Sequence, residues 1–165
     1  MDYQEGRDKF IQTWGTLGTQ WGINRTMAQI HAILLLSPAS MSAEDVMEGL
    51  KISRGNANMN LRALMDWGLV NKELKPGERK EFFIAEKNMM EIAKAIAIQR
   101  KKRELEPLVK ILDELTEVKG DTPEAKEFSK VVSDFQVLSK KADSTLDTLI
   151  KSDANRLLNS FFKMM

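Results

Sequence analysis

The chain has 165 residues and a formal net charge of +1, with 42% hydrophobic and 30% charged side chains. These values are typical of a folded protein and argue against disorder. There is no cysteine and only one histidine, which excludes disulfides, thiolate metal sites and most histidine-based catalytic arrangements. The densest apolar segment, residues 32–36, is too short to cross a bilayer, and residues 1–10 lack the apolar run of a signal peptide. We therefore expect a helix-rich cytoplasmic protein that uses no metal and no cofactor.

The basic side chains are concentrated in one short window. Residues 51–87 contain eight lysines and arginines against five acidic side chains, whereas residues 1–50 contain three against six. Residues 88–165 are nearly balanced, with 14 basic against 13 acidic side chains. The sequence therefore predicts a locally positive surface on a nearly neutral protein, within residues 51–87.

Two helices are predicted at the start of the chain. The first carries an aromatic and apolar stripe at helical spacing, formed by Phe10, Trp14, Leu17 and Trp21. Glycines within the same stretch indicate that another element packs closely against it. The second helix is expected over about 25–36, where Ser-Pro follows and ends it.

The next segment has the sequence signals of a helix-turn-helix motif. A capping box at Ser42 begins a short helix that reaches Leu50, and after a tight turn Ser53 caps a helix that runs to about Trp67. Two strand-like stretches follow, residues 69–74 and 80–85, separated by a Pro-Gly turn. Two short helices followed by a hairpin predict a winged helix-turn-helix.

The C-terminal half has the pattern of long helices. A helical pattern begins at Asn88 and continues to about Val118, with leucines at heptad spacing: Leu105, Leu108, Leu112 and Leu115. Because Pro107 falls inside this pattern, we expect a kink or a break near Glu106.

A further helix is predicted after the turn at residues 120–123, with Thr122 as its cap. One of its sides carries an apolar stripe: Phe128, Val131, Phe135, Leu138, Ala142 and Leu149. A terminal helix is expected to end with apolar residues near 157–162. These helices have few surfaces to cover except each other, so we expect a helical hairpin that also pairs between subunits.

The helix over residues 53–67 is the part of the sequence that points to a function. Projected at 100° per residue, it turns one apolar face to the core and leaves a face rich in amide, guanidinium and thioether groups exposed. Such groups pair with base edges in the major groove of DNA, while a helix start and basic wing residues suit phosphates and the minor groove. The candidate DNA-binding residues are Ser53, Arg54, Gly55, Asn56, Asn58, Met59, Asn60, Arg62, Lys72, Lys75, Arg79 and Lys80. The less specific alternative is that these side chains only form a solvated surface.

Other sites have weaker support from the sequence. Phe10, Trp14 and Trp21 are candidate ligand-binding residues because their rings could hold a cationic effector, although an aromatic stripe is more often part of a core. His31 has no partner at metal-ligand spacing and is interpreted as a structural side chain. We find no arrangement typical of an enzyme, so no catalytic residue and no enzymatic activity are expected.

Residues 10–87 resemble the GbsR-type branch of MarR-like transcriptional regulators. The resemblance is carried by segments that include Trp21–Ile30, Ser53–Asn56 and Pro76–Lys80. It implies a homodimeric winged helix-turn-helix repressor that responds to a small molecule, with DNA contacts from residues 53–62 and 75–80.

We therefore expect a mainly α fold with a small β-hairpin wing, organised as a winged helix-turn-helix DNA-binding domain over 1–87 and a helical dimerisation and effector region over 88–165. The first helix of the DNA-binding domain is also expected to take part in the dimer interface. The expected partners are double-stranded DNA, a second copy of the chain and a small-molecule effector, with no membrane. The alternative function is a winged-helix module that binds another protein instead of DNA.

Overall fold

The computed structural model describes residues 1–152, and the predicted terminal helix lies outside the described residues. The elements in chain order are α1 (Tyr3–Gln20), α2 (Arg25–Leu36), β1 (Met41–Ser42), α3 (Ala43–Leu50), α4 (Arg54–Asp66), β2 (Val70–Glu73), β3 (Phe82–Ala85), α5 (Met89–Arg100), a π-helical segment (Lys101–Leu105), α6 (Glu106–Leu115) and α7 (Pro123–Lys151). The chain divides into two compact units, Met1–Ile96 and Ala97–Met165. None of the described helices is both long and apolar enough to cross a membrane.

Helices α1 and α2 pack closely in the first unit, as the glycines of α1 predict. A Cβ atom added at Gly18 would lie 2.4 Å from the Cβ of Ala28, and one added at Gly15 would lie 3.0 Å from Cγ of Gln29. The two helix axes can approach this closely because glycine has no side chain at the contact.

The helix-turn-helix forms as the capping residues predict. Ser42 and Asp45 form the capping box of α3, and the Ser53 hydroxyl accepts a hydrogen bond from the backbone N–H of Asn56 at the start of α4. Between the helices, Lys51 adopts a left-handed conformation with φ 54°. This conformation costs a non-glycine residue about 1–2 kcal/mol, and it ends α3 so that a new helix can begin after Ser53.

The wing is an antiparallel sheet with strand order β1-β3-β2. Strand β2 pairs with β3 from Val70 opposite Ala85 to Glu73 opposite Phe82. The hairpin turn closes through a hydrogen bond from the N–H of Glu78 to the carbonyl of Lys75, with Gly77 at φ 82°, which is a type II turn. The two-residue strand β1 was not predicted, because its pairing with β3 leaves no local pattern.

The core of the first unit lies between α2, α4 and the sheet. Its largest fully buried apolar side chains are Ile30, Leu34, Val46, Leu61, Leu64, Leu69 and Val70. Lys87, which follows β3, connects the sheet to the end of α2. Its ammonium group donates hydrogen bonds to the carbonyls of Leu34, Leu35 and Ser37 at 2.6–2.8 Å. The C-terminus of α2 is therefore capped by a cation, which also complements the helix dipole.

In the second unit, the expected disturbance near Pro107 takes the form of a π-helical segment. Proline has no N–H to donate, and its ring collides with the carbonyl four residues earlier in a regular α-helix. In the observed segment the N–H of Glu106 donates to the carbonyl of Lys101, five residues back, and the helix continues into α6. The chain therefore widens one turn where the sequence predicts a kink or a break.

Helices α6 and α7 form the predicted helical hairpin, but α7 uses a different face from the predicted stripe. The covered face of α6 is formed by three of the heptad leucines, of which Leu112 is buried and Leu108 and Leu115 are half-buried. On α7 the buried positions are Val132 and Ser139, whereas Phe135 is 45% exposed and Leu138 is 63% exposed. The apolar stripe is therefore left open on the described part of the second unit. The sequence could not reveal this because α7 offers two faces able to pack on α6.

Candidate nucleic-acid interface

The outward face of α4 presents the side chains that the projection predicts at its start and middle. Arg54, Gly55, Met59 and Arg62 are exposed, and the Met59 side chain is 62% accessible to solvent. A Cβ added at Gly55 would meet no atom within 4 Å. This face combines a guanidinium at each end with an open backbone between them, which leaves room for a close approach by another molecule.

Arg54 is held by an acidic side chain that the sequence analysis did not consider. Its Nη2 lies 3.2 Å from Oε1 of Glu44 in α3, and both side chains are exposed. An exposed ion pair of this kind contributes little to stability and exchanges readily for a stronger anion. Glu44 therefore orients Arg54 and also competes with any phosphate for it.

The three asparagines of α4 have different environments. Asn56 and Asn58 are half-buried, but Asn60 is only 1% exposed and does not lie on the outward face. The prediction that Asn60 is a DNA-binding residue is therefore wrong, because its side chain is not accessible to a partner. Its amide is satisfied inside the protein, because it hydrogen-bonds to Asn24 and to Asn56.

The wing carries its basic residues in two kinds of environment. Lys72 forms an ion pair with Glu81, and the ammonium of Lys75 lies 4.1 Å from the centre of the Phe82 ring, a cation–π contact. Arg79 and Lys80 are exposed and form no ion pair with the described residues. Because they form no ion pair with the described residues, Arg79 and Lys80 are the wing cations best placed to bind an external anion.

Electrostatic effects show that α3, α4 and the wing share one surface. The hydrogen bond from Lys72 lowers the pKa of Glu81, and the positive charge of Arg62 on α4 lowers it further. Hydrogen bonds from Ser42 lower the pKa of Asp45 in α3, and the charges of wing lysines add to this. The basic groups of α4 and the wing are thus close enough to act together on one anionic partner.

The aromatic residues proposed as a ligand site contact each other. Phe10 and Trp14 stack with ring centres 5.5 Å apart, and Trp14 meets Trp21 edge-on at 5.3 Å. The Trp14 indole N–H donates to Nδ1 of His31, which is buried. Because the rings use each other as partners, this group has the geometry of a packed aromatic cluster, and its role as a ligand site stays a prediction.

Two further features were not found from the sequence. Leu74, the residue that follows β2, is 79% exposed beside the basic wing turn. The second unit contains a cavity of about 420 Å³. Its lining residues are Ala97, Arg100, Lys101, Glu104, Leu105, Leu108 and Leu146.

Comparison with known proteins supports the fold and leaves the family open. No family model matches the chain, and no curated protein matches it. One solved structure, described as the crystal structure of a transcriptional regulator, has a TM-score of 0.55 and 18% identity, and the match covers 87% of this chain and 99% of that one. The chain shares the fold of a transcriptional regulator. At this identity the likeness concerns the fold, so membership of the GbsR-type branch of MarR-like regulators stays a prediction.

Proposed function

We propose that this protein is a transcriptional regulator that binds double-stranded DNA as a homodimer. In this proposal the outward face of α4 enters the major groove and the turn of the wing contacts the adjacent minor groove. The observation that carries the proposal is the exposed face at Arg54, Gly55, Met59 and Arg62, near a wing whose Arg79 and Lys80 form no ion pair with the described residues. A repressor role follows from the family resemblance.

The proposed dimer uses the open side of α7. The apolar residues Val131, Phe135 and Leu138 are all exposed and follow one side of the helix. A second copy of the chain would cover this stripe, and the two copies of α4 would then meet major grooves about 34 Å apart on a pseudo-palindromic operator. Replacing Phe135 and Leu138 together with aspartate should give a folded monomer in analytical ultracentrifugation. A double variant that remains dimeric would exclude this interface.

A salt titration tests the DNA contacts. The protein is first used to select sequences from a library of random duplexes, and the dissociation constant of the selected duplex is then measured by fluorescence anisotropy at several salt concentrations. Log affinity decreases with log salt, and this decrease should become less steep by about one unit of slope in Arg79→Gln and in Arg54→Gln. Lys9→Gln, on α1, removes the same charge elsewhere and should leave the slope unchanged. Selection of no sequence, or equal slopes in all variants, would contradict the proposal.

A protein-binding role is the second candidate, because two large apolar side chains stand out on the same surface. Met59 and Leu74 are both more than half exposed. Apolar contacts would make binding only weakly dependent on salt, whereas phosphate contacts make it strongly dependent. The DNA experiment therefore separates the two functions, because a protein-binding module would select no duplex or would bind duplexes with the same salt slope in all variants.

We also propose that a small molecule modulates the DNA affinity of this regulator. The cavity of the second unit is within the size range of small-molecule sites, and the aromatic cluster of α1 is the alternative location. Screening candidate ligands for a change in operator affinity tests the effector, and a binder unaffected by every ligand would be constitutive.

A further inference from the structure

Three asparagines form a chain of hydrogen bonds that ends at the outward face of α4. Asn24, the cap of α2, donates from Nδ2 to Oδ1 of Asn60 at 2.8 Å. Asn60 in turn donates from Nδ2 to the backbone carbonyl of Asn56 at 2.9 Å and to Oδ1 of Asn56 at 2.7 Å. This asparagine relay crosses from α2 to α4 and joins residues 36 positions apart.

The polarity of the asparagine relay is fixed at both ends by backbone groups. At the first end the N–H of Met27, which can only donate, bonds to Oδ1 of Asn24 at 2.8 Å. At the other end the carbonyl of Asn56, which can only accept, takes a bond from Asn60. An amide that is reversed at any step would place an oxygen against an oxygen or an NH₂ against an NH₂. The orientation of Asn60 therefore follows from the chain of partners.

The asparagine relay determines which end of the Asn56 amide faces outward. Because Oδ1 of Asn56 already accepts a hydrogen bond from Asn60, the NH₂ group is the end of this amide that has no partner among the described residues. Nδ2 of Asn56 has no hydrogen-bond partner among the described residues and is not one of their buried unpaired atoms, so it is open to solvent. Burial of Asn60 keeps water from competing for these bonds.

We propose that Asn24 and Asn60 are positioning residues that make Asn56 a preset hydrogen-bond donor toward DNA. This inference rests on the proposed function of α4. In the major groove a donor selects the acceptor edges, which are purine N7, guanine O6 and thymine O4, and it disfavours the cytosine amino group. The asparagine relay thus supplies sequence preference at one base pair through the orientation that Asn24 and Asn60 give to the Asn56 amide.

The variant Asn24→Ser tests this directly. Serine is a good helix cap, so α2 keeps its start, but its side chain is too short to reach Asn60. The matched control is Asn88→Ser, which makes the same change at the start of α5, where Asn88 accepts hydrogen bonds from the N–H groups of Met90 and Glu91. Asn60→Ala removes the middle of the asparagine relay, and Asn56→Ala identifies the base pair concerned.

Two measurements are made on each variant. Base preference is the ratio of affinities for the selected duplex and for duplexes substituted at one position. In Asn24→Ser and in Asn60→Ala this ratio should fall about fivefold or more at the position that Asn56→Ala identifies. The salt slope should not change, because the phosphate contacts remain. A purely structural role would weaken binding to all sequences alike, and that result would overturn the inference, as would unchanged preference.

Nuclear magnetic resonance tests the asparagine relay without DNA. In the free protein the side-chain NH₂ protons of Asn60 should exchange slowly with water and those of Asn56 rapidly, and Asn24→Ser should speed the exchange at Asn60. Fast exchange at Asn60 in the unaltered protein would overturn the inference even if DNA binding is observed. If the protein selects no duplex while Asn60 is protected, the proposed function fails and the asparagine relay stands as a structural feature.

Discussion

The single histidine of the chain makes its stability sensitive to mild acid. His31 is buried, Nδ1 accepts the indole N–H of Trp14 at 3.1 Å, and Nε2 has no hydrogen-bond partner within the described residues. Burial, with a smaller effect of the positive charge of Lys87, lowers the pKa of His31 from 6.5 to about 4. Protonation would require a charge in an apolar site and would remove the acceptor that Trp14 needs.

The sign and size of the effect follow from these pKa values. Between pH 6.5 and pH 4 the unfolded chain binds a proton at this residue and the folded protein does not, so stability falls as the pH falls through this window. A pKa difference of this size gives a loss of about 2 kcal/mol between about pH 7 and about pH 5.

Urea unfolding followed by tryptophan fluorescence measures this loss at a single protein concentration. The variant His31→Asn places an amide oxygen near the position of Nδ1, keeps an acceptor for Trp14 and cannot titrate. Because carboxylates titrate equally in both proteins, the difference between them isolates the histidine. The unaltered protein should lose about 2 kcal/mol more than the variant on acidification. Parallel stability curves over this range would refute the reasoning.

Three further predictions concern packing and the α4 face. Gly18→Ala should lower the free energy of unfolding by about 1–3 kcal/mol, because the added methyl group collides with α2. The control Gly6→Ala lies in the same helix, where the added methyl group meets only an ordinary contact, and it should raise the free energy of unfolding by about 0.5–1 kcal/mol. Thermal denaturation compares the two variants. Gly55→Ala should leave the melting temperature unchanged or higher but weaken binding to the selected duplex about fivefold or more, and unweakened binding would show that DNA does not approach this backbone. Glu44→Gln should raise duplex affinity by up to about fivefold at low salt because it frees Arg54 for phosphate, and equal anisotropy titrations would contradict this competition.

The local signals of the sequence predicted the first unit well. A helix cap depends on a hydrogen bond between residues two or three positions apart, so Ser42 and Ser53 indicate their helices without knowledge of the rest of the chain. The Pro-Gly turn also forms as expected, because its geometry depends on the two residues themselves. The mainly α fold with a hairpin wing follows from these signals.

Contacts between distant residues could not be predicted in the same way. Projection of α4 gives an angle for each side chain but does not reveal that the N-cap of α2 lies within hydrogen-bonding distance of Asn60. The sequence predicts that all three asparagines of α4 contact DNA, whereas Asn60 belongs to a buried hydrogen-bond network. Strand β1 and the ion pair between Glu44 and Arg54 also depend on tertiary proximity.

The wide turn at Lys101–Leu105 has a consequence for how this chain tolerates changes in length. A π-turn contains about one residue more than an α-turn, so the surplus residue is absorbed locally and the helices on either side keep their rotational phase. Deletion of one residue here, combined with replacement of Pro107 by alanine, would contract the turn to an ordinary α-helical one and leave Leu112 facing α7, whereas the same deletion within α6 would rotate every following side chain by about 100°. The second unit therefore contains a built-in site for evolutionary insertion and deletion, next to a proline that discourages a regular helix.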